Sequence, residues 1–290
     1  KVTSWDTDKK EPQQTHEGGR SFLNCISEVL HDDDCSKNDM GECRMDIIES
    51  EMGYLGHDDS ESYGLSWKVR GFCEDKSNPE VFDRVQVRGD IYGSNIYGMY
   101  YGHYTYGHEG GKWTYNQMHD NIQYGFDPHD DSDNLEIAHN KVWGNGNHGI
   151  IASKRCNNVK IHDNEVWGGA ENAVGIFLHR SSDDAEVYYN HVHDMKDAGM
   201  ALMESMNAHI HHNVFEDVLY GVRLSLGCKD NVVEENTFSN TDKYGIYTYM
   251  GNDEPDASTE WNGEMVNNQF KTNNVHGGLK IQDNVGITFT

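Results

Sequence analysis

The chain has 290 residues, 36% of them hydrophobic, with four prolines, 30 glycines, 17 histidines and a formal net charge of −26. That length suits one continuous core. The acidic balance argues against nucleic acid, whose phosphates require a basic surface, and no apolar run is long enough to span a membrane.

The chain starts at Lys1 without a methionine and with no signal peptide, which predicts a processed or trimmed start. Residues 1 to about 50 fall outside any regular pattern and contain Cys25, Cys35 and Cys43, with Cys73 after them. None has the paired spacing of a zinc site. Disulfides tying down this segment in an oxidising, extracellular compartment are expected, with the pairing left open. Cys156 and Cys228 read as isolated thiols, and no Asn-x-Ser/Thr sequon occurs.

From residue 64 onward two markers run in parallel. Glycine followed by an apolar residue recurs at Gly64, Gly98, Gly125, Gly149, Gly175, Gly199, Gly221 and Gly245. Asparagine, any residue, then an apolar one recurs at Asn140, Asn164, Asn190, Asn213 and Asn236, at spacings of 24, 26, 23 and 23. Asn268 continues the series after an insertion near 252–262. Two interleaved markers at one period signal a repeat architecture. The apolar pieces are short, alternate with period two and are broken by Gly, Asn and Asp, which excludes a helical solenoid. A coil of this length holds three short strands and three turns, so the expected fold is all-β: one parallel β-helix domain over 1–290, of about ten coils. Asparagines recurring at one turn are expected to stack and share hydrogen bonds, a structural role.

Alternation sorts inside from outside. The first and third residues after each marker glycine are core-like: Leu65/Trp67, Met99/Tyr101, Phe126/Pro128, Ile150/Ala152, Ile176/Leu178, Met200/Leu202, Val222/Leu224 and Ile246/Thr248. The second and fourth form a mixed polar and aromatic outer face: Ser66/Lys68, Tyr100/Gly102, Asp127/His129, Ile151/Ser153, Phe177/His179, Ala201/Met203, Arg223/Ser225 and Tyr247/Tyr249. Stacked coils lie ~4.8 Å apart, so this face is a long strip suited to an extended polymer. Lys68, Arg70, Lys154, Arg155, Arg180 and Arg223 fall at or just after it, which reconciles an acidic protein with a polyanionic partner. The Asp-rich patches at 32–34, 130–133 and 183–184 read as solvated turns, with a calcium site among them a secondary expectation. His162, His191, His211 and His212 are also expected in turns.

Asp127 and His129 stand out by register: two apart on a strand, they point the same way. A carboxylate beside an imidazole can move protons at a carbon. The C5 proton of a uronate lies alpha to a carboxylate, so its removal needs a base, a cation to neutralise that carboxylate, and an acid. His129 suits the base, Tyr124 the acid, Asp127 an orienting or substrate-binding role, and Lys154 or Arg155 the cation. His148 is a second proton carrier or substrate ligand. Lys68, Tyr100, His179, Arg180, Arg223, Tyr247 and Tyr249 are candidate substrate contacts along the strip. Tyrosine also precedes the marker glycine at Tyr63, Tyr97, Tyr220 and Tyr244. Tyr124 therefore also reads as one rung of a stacking ladder that strict alternation would turn inward.

The segment Tyr124-Gly125-Phe126-Asp127-Pro128-His129-Asp130 resembles the YG-[FLI]-DPH-[DE] signature of mannuronan C5-epimerases. His148-Gly149-Ile150-Ile151 with Ser153-Lys154, Tyr54-Leu55-Gly56, Tyr63-Gly64-Leu65-Ser66-Trp67 and Val2-Thr3-Ser4-Trp5-Asp6 resemble that family's periplasmic-type bacterial branch. The similarity runs from Val2 to Gly251. It implies a right-handed helix, alginate as substrate, conversion of mannuronate to guluronate within the polymer, His129 as base, Asp127 as essential neighbour and Tyr124 as acid. The favoured reaction uses no redox cofactor, no metal ligands are assigned beyond the secondary calcium expectation, and no separate calcium-binding repeat module is evident. Many bacterial relatives carry arginine after the serine, whereas this chain has Lys154 then Arg155. The N-terminal cysteines suggest a secreted eukaryotic member, such as one from brown algae, expected to be a monomer. The alternative is a uronate lyase, which shares the proton abstraction and differs in the fate of the intermediate. A glycoside hydrolase would need a second outward carboxylate at a defined separation, and a non-catalytic carbohydrate-binding solenoid would leave the Asp127/His129 pair without a role.

Overall fold

The computed structural model describes residues 1–17, 19–30, 40–60, 62–71, 82, 84–249 and 263–290. Cys35, Cys73, the acidic patch at 32–34 and the insertion near 252–262 lie outside them. Among the described residues every regular element is a β-strand, most of them two to four residues long. The chain is a parallel β-helix: equivalent strands of successive coils pair in parallel, one repeat apart. Phe126 sits beside Ile150, then Ile176, Met200, Val222 and Ile246. One wall is a ten-stranded sheet from Ile47–Ile48 to Thr288–Phe289. The other two walls belong to a 17-stranded sheet and merge where His191–Met203, Val214–Leu224 and Thr237–Thr248 run through the corner unbroken.

The residues sorted inward by alternation line the core. Leu65, Trp67, Phe126, Ile150, Ile176, Met200, Val222 and Ile246 are all buried. The marker glycines are required by close approach. A Cβ built on Gly125 would collide with the carbonyl oxygen of Gly149, and one on Gly149 would crowd Gly175 in the same way.

Asparagines stack as one ladder. Each Nδ2 donates to the Oδ1 of the next, from Asn116 through Asn140, Asn164, Asn190, Asn213 and Asn236 to Asn273, at 2.9–3.1 Å. Asn268 is not the member that follows Asn236. It accepts from Asn231 at 2.9 Å and opens the strand Gln269–Lys271 of the ten-stranded wall. At the N-terminal end, a Cys25–Cys43 disulfide joins the strands Leu23–Glu28 and Gly41–Arg44. Cys156 and Cys228 are buried thiols without a bridge. His162, His191 and His211 lie on strands rather than in turns.

Candidate active site

The strand Phe126–His129 carries the site. Phe126 is buried in the core and its neighbour Asp127 faces the other way. Pro128, between the two chemical residues, has its φ fixed by its ring and no N–H to give the sheet. Across the coils, His129 shares a row with Lys68, Tyr106, Ser153, His179 and Met203, and Asp127 lies beside Tyr104.

A cavity of about 210 Å³ opens over this strand. Its aromatic wall is Tyr63, Tyr101, Tyr104, Tyr124 and Phe177, and its polar lining is Asp127, His129, His148, Ser153, Lys154 and His179. The Tyr124 ring stacks between Tyr101, at 5.3 Å, and His148, at 5.6 Å. Tyr124 therefore faces outward, against the strict alternation: the strand begins only at Phe126, and the chain bends at Gly125. The ladder preceding the marker glycines runs Tyr63, Tyr101, Tyr124, His148. Tyr97 is not part of it. It belongs to another wall, where Tyr97, His119, Trp143, Trp167 and His193 stack in sequence.

One coil departs from the register read from sequence. Its marker is Gly102, which accepts the close approach of Gly125 O, and not Gly98. Its outward residues are thus Tyr104 and Tyr106, paired with Asp127 and His129, in place of Tyr100 and Gly102. Tyr101 lines the cavity rather than the core. Tyr101 and Tyr104 were missed for this reason, although Tyr101-Gly102 precedes Tyr124-Gly125 by 23 residues, a full repeat, and Tyr63 was read only as a rung of the stacking ladder.

The charges are arranged around His129. Its Nδ1 lies 2.5 Å from Asp130 Oδ2, so the carboxylate in contact with the imidazole is Asp130 and not Asp127. Arg155 in turn holds Asp130 at 2.8 Å and Asp131 at 2.9 and 3.0 Å. Burial alone would raise the Asp130 carboxyl, but the His129 hydrogen bond and the charges of His129, Lys154 and Arg155 outweigh it and hold it below the usual carboxylate range. Stacked turns set this up. Asp130, Asp131, Lys154, Arg155, Arg180 and Ser181 all take left-handed φ between 29° and 62°. Asp131 N–H donates to Lys154 O at 3.1 Å and Arg155 N–H to Arg180 O at 2.9 Å. The Asp130–Asp133 turn, where calcium was a secondary expectation, is thus filled in part by a guanidinium.

Asp127 is 2% exposed and its Oδ1 makes no hydrogen bond. Burial pushes its carboxyl up to about 7, against the opposing pull of His129 and Lys154. Lys154 lines the cavity and, among the described residues, no carboxylate pairs with it, whereas Arg155 is committed to two aspartates and does not line the cavity. His148 accepts the Val174 N–H at Nδ1, 3.0 Å, and burial with the Arg223 charge lowers it to about 3. It is therefore a neutral imidazole with Nε2–H as its donor. His179 lies 2.9 Å from Ser153 Oγ through Nδ1, and is likewise lowered to about 3, first by burial and then by Arg180.

Sequence comparison matches residues 168–261 to the family model described as right handed beta helix region. Mannuronan C5-epimerases are similar in sequence. That of Pseudomonas syringae pv. tomato is 31% identical over 162 residues, 56% of this chain and 29% of the relative. That of Pseudomonas aeruginosa is 32% identical over 161 residues, 53% and 26%. The crystal structure of the periplasmic alginate epimerase AlgG superposes with a TM-score of 0.82 and 24% identity, over 99% of this chain and 66% of that one. The chain resembles the mannuronan C5-epimerases in sequence, and its fold is the right-handed β-helix seen in AlgG. It spans less than a third of the length of the curated epimerases it matches.

The remaining candidates lie outside the cavity lining. Lys68 Nζ sits 5.9 Å from the Tyr106 ring centre. Tyr100 packs against His16 and Tyr63. Arg180 is buried, 3.8 Å from Glu204 Oε2. Arg223 binds Asp197 at 3.0 and 3.1 Å. Beside it Tyr247 stacks on Tyr249 at 4.9 Å. Arg223, Tyr247 and Lys280 stand in consecutive coils, in the row that also carries Phe177 and Ala201.

Proposed function

We propose that this chain is the β-helix of a mannuronan C5-epimerase, converting β-D-mannuronate to α-L-guluronate residues within alginate. The observation that carries the reading is one cavity lined by an imidazole, a phenol, an uncommitted ammonium and a carboxyl whose pKa is raised to about 7. Sequence similarity to enzymes of that name supports it.

The reaction moves one proton off C5 and another onto the opposite face, so it is redox-neutral and needs no redox cofactor. The substrate carboxylate sits against Lys154, whose charge lowers the energy of the enolate-like intermediate. Asp127 in its protonated form donates to the same carboxylate, a role its raised pKa makes accessible near neutrality. His129 takes the C5 proton at Nε2, and Asp130, held by Arg155, steadies the imidazolium that forms. Tyr124 delivers a proton to the other face. His148, neutral, offers Nε2–H to the sugar. The aromatic wall packs the pyranose faces. We also propose that the protein is secreted, as the Cys25–Cys43 bridge favours an oxidising compartment. No helix among the described residues is long and apolar enough to cross a membrane.

Proton NMR of polymannuronate after incubation with the chain tests the reading. Guluronate signals should grow while chain length stays constant. Unsaturated uronate ends would show a lyase instead, and an unchanged spectrum would contradict both.

A further inference from the structure

Away from the cavity, two walls of the helix repeat one four-residue arrangement. On one wall Glu165 stands directly beside His191, and His193 beside Glu216 in the next coil. On another, Glu186 stands beside His209, and His211 beside Glu234. Each is Glu, His-x-His, Glu in three successive coils, at identical register. Alternation places both imidazoles of a His-x-His pair on the same face. Their ring centres are 4.5 Å apart for His191 and His193, and 4.2 Å for His209 and His211.

The donor atoms converge. One from each of Glu165, His191 and His193 lie within 4.8 Å of one another, and so do those of Glu186, His209 and His211. His193 Nε2 is 3.7 Å from Glu165 Oε1, and His191 Nε2 is 3.5 Å from Glu216 Oε2. In the second set His211 Nε2 is 3.8 Å from Glu186 Oε1, and His209 Nε2 is 2.8 Å from Glu234 Oε1. The Nε2 atoms of His191, His193 and His211 are shielded from solvent yet make no hydrogen bond. His193 also carries the outer support expected of a metal ligand: its Nδ1 lies 2.6 Å from Asp194 Oδ2, which fixes the tautomer with Nε2 as the free lone pair.

The plain alternative is an alternating charge ladder. Lys141 pairs with Glu165 at 3.1 Å and Lys160 with Glu186 at 3.4 Å, and the histidines could extend those columns as further ion pairs. Three of the four His–Glu separations, at 3.5–3.8 Å, are too long for a hydrogen bond, and the orphaned Nε2 atoms lie inside the cluster.

We propose that Glu165, His191 and His193, with Glu216 as fourth ligand, bind a divalent transition ion of the zinc class, and that Glu186, His209, His211 and Glu234 form a second site of the same design. Two imidazoles and two carboxylates match four-coordinate Zn²⁺. Imidazole donors select Zn²⁺, Ni²⁺ or Cu²⁺ over the oxygen-seeking Ca²⁺ and Mg²⁺. Each ion bridges three coils and so binds the folded chain and not the unfolded one, which stabilises the fold. The Asp194-supported site is the tighter, because His209 must leave Glu234 to bind.

The test is calorimetric titration of the tag-free, EDTA-treated chain with ZnCl₂, followed by thermal melting. Two equivalents should bind at micromolar or tighter affinity and raise Tm. His191→Gln/His193→Gln should remove the tighter equivalent, and His209→Gln/His211→Gln the weaker. Both variants should keep the metal-free Tm and the wild-type turnover of polymannuronate. Loss of an equivalent with only one pair supports that site and overturns the other. Millimolar binding, or a stoichiometry unchanged in both variants, overturns the proposal, and neither result bears on the alginate reading.

Discussion

Burial pushes the Asp127 carboxyl up to about 7, so near neutrality the group is divided between two forms. Between pH 4 and 7 the folded chain holds a proton there that the unfolded chain has released. The contribution of Asp127 to stability therefore falls as pH rises through that window. Asp127→Asn fixes the neutral form. Urea unfolding should show it more stable than wild type at pH 8, by up to about 4 kcal/mol, with little difference at pH 4, while turnover collapses. Lys154 and Arg155 separate by mechanism. Lys154→Ala removes the cavity charge that the proposed mechanism sets against the substrate carboxylate and should cost roughly 10²–10³-fold in kcat/KM, with KM raised. Arg155→Ala acts through Asp130 and His129. It should lower kcat at nearly constant KM and shift the pH profile, with partial recovery in Arg155→Lys.

The asparagine ladder is the element that fixes coil register, and its role was legible from spacing alone. Asn164 accepts from the N–H and Nδ2 of Asn140 and donates to Ile137 O and Asn190 Oδ1. Asn164→Ala orphans buried groups on both sides, and a denaturant midpoint shift worth about 1–3 kcal/mol is expected with an unchanged slope. The outward register of Asp127 and His129 was legible for the same reason, as period-two alternation is a local property. The cavity's tyrosines were not. Counting from Gly98 rather than Gly102 displaced one coil by four residues and hid Tyr101 and Tyr104. The Asp130 contact was hidden too, since nothing in an acidic turn reveals that an arginine one coil away will fold back onto it.

The whole molecule combines a net charge of −26 with several imidazoles held neutral by burial. His108, His148 and His179 are each lowered to about 3, and His103 is lowered well below its ordinary value. Below pH 6.5 the unfolded chain binds protons at these positions that the folded chain refuses, so stability falls as pH drops. Asp127 and Asp133, raised to about 7 and about 6, oppose this with fewer groups. Tm should therefore decline between pH 7 and pH 5, as thermal scans across that range would show. Among the described residues one cavity gathers Tyr124, Asp127, His129 and Lys154, and the proposed function has a polymer threading along the wall that carries it. Polymannuronate incubated in D₂O with the wild-type and His129→Phe chains addresses that most directly. The wild type should place deuterium at C5 of new guluronate residues without shortening the chains, and the variant should bind polymer but exchange nothing. Deuterium uptake by His129→Phe at the wild-type rate would contradict it.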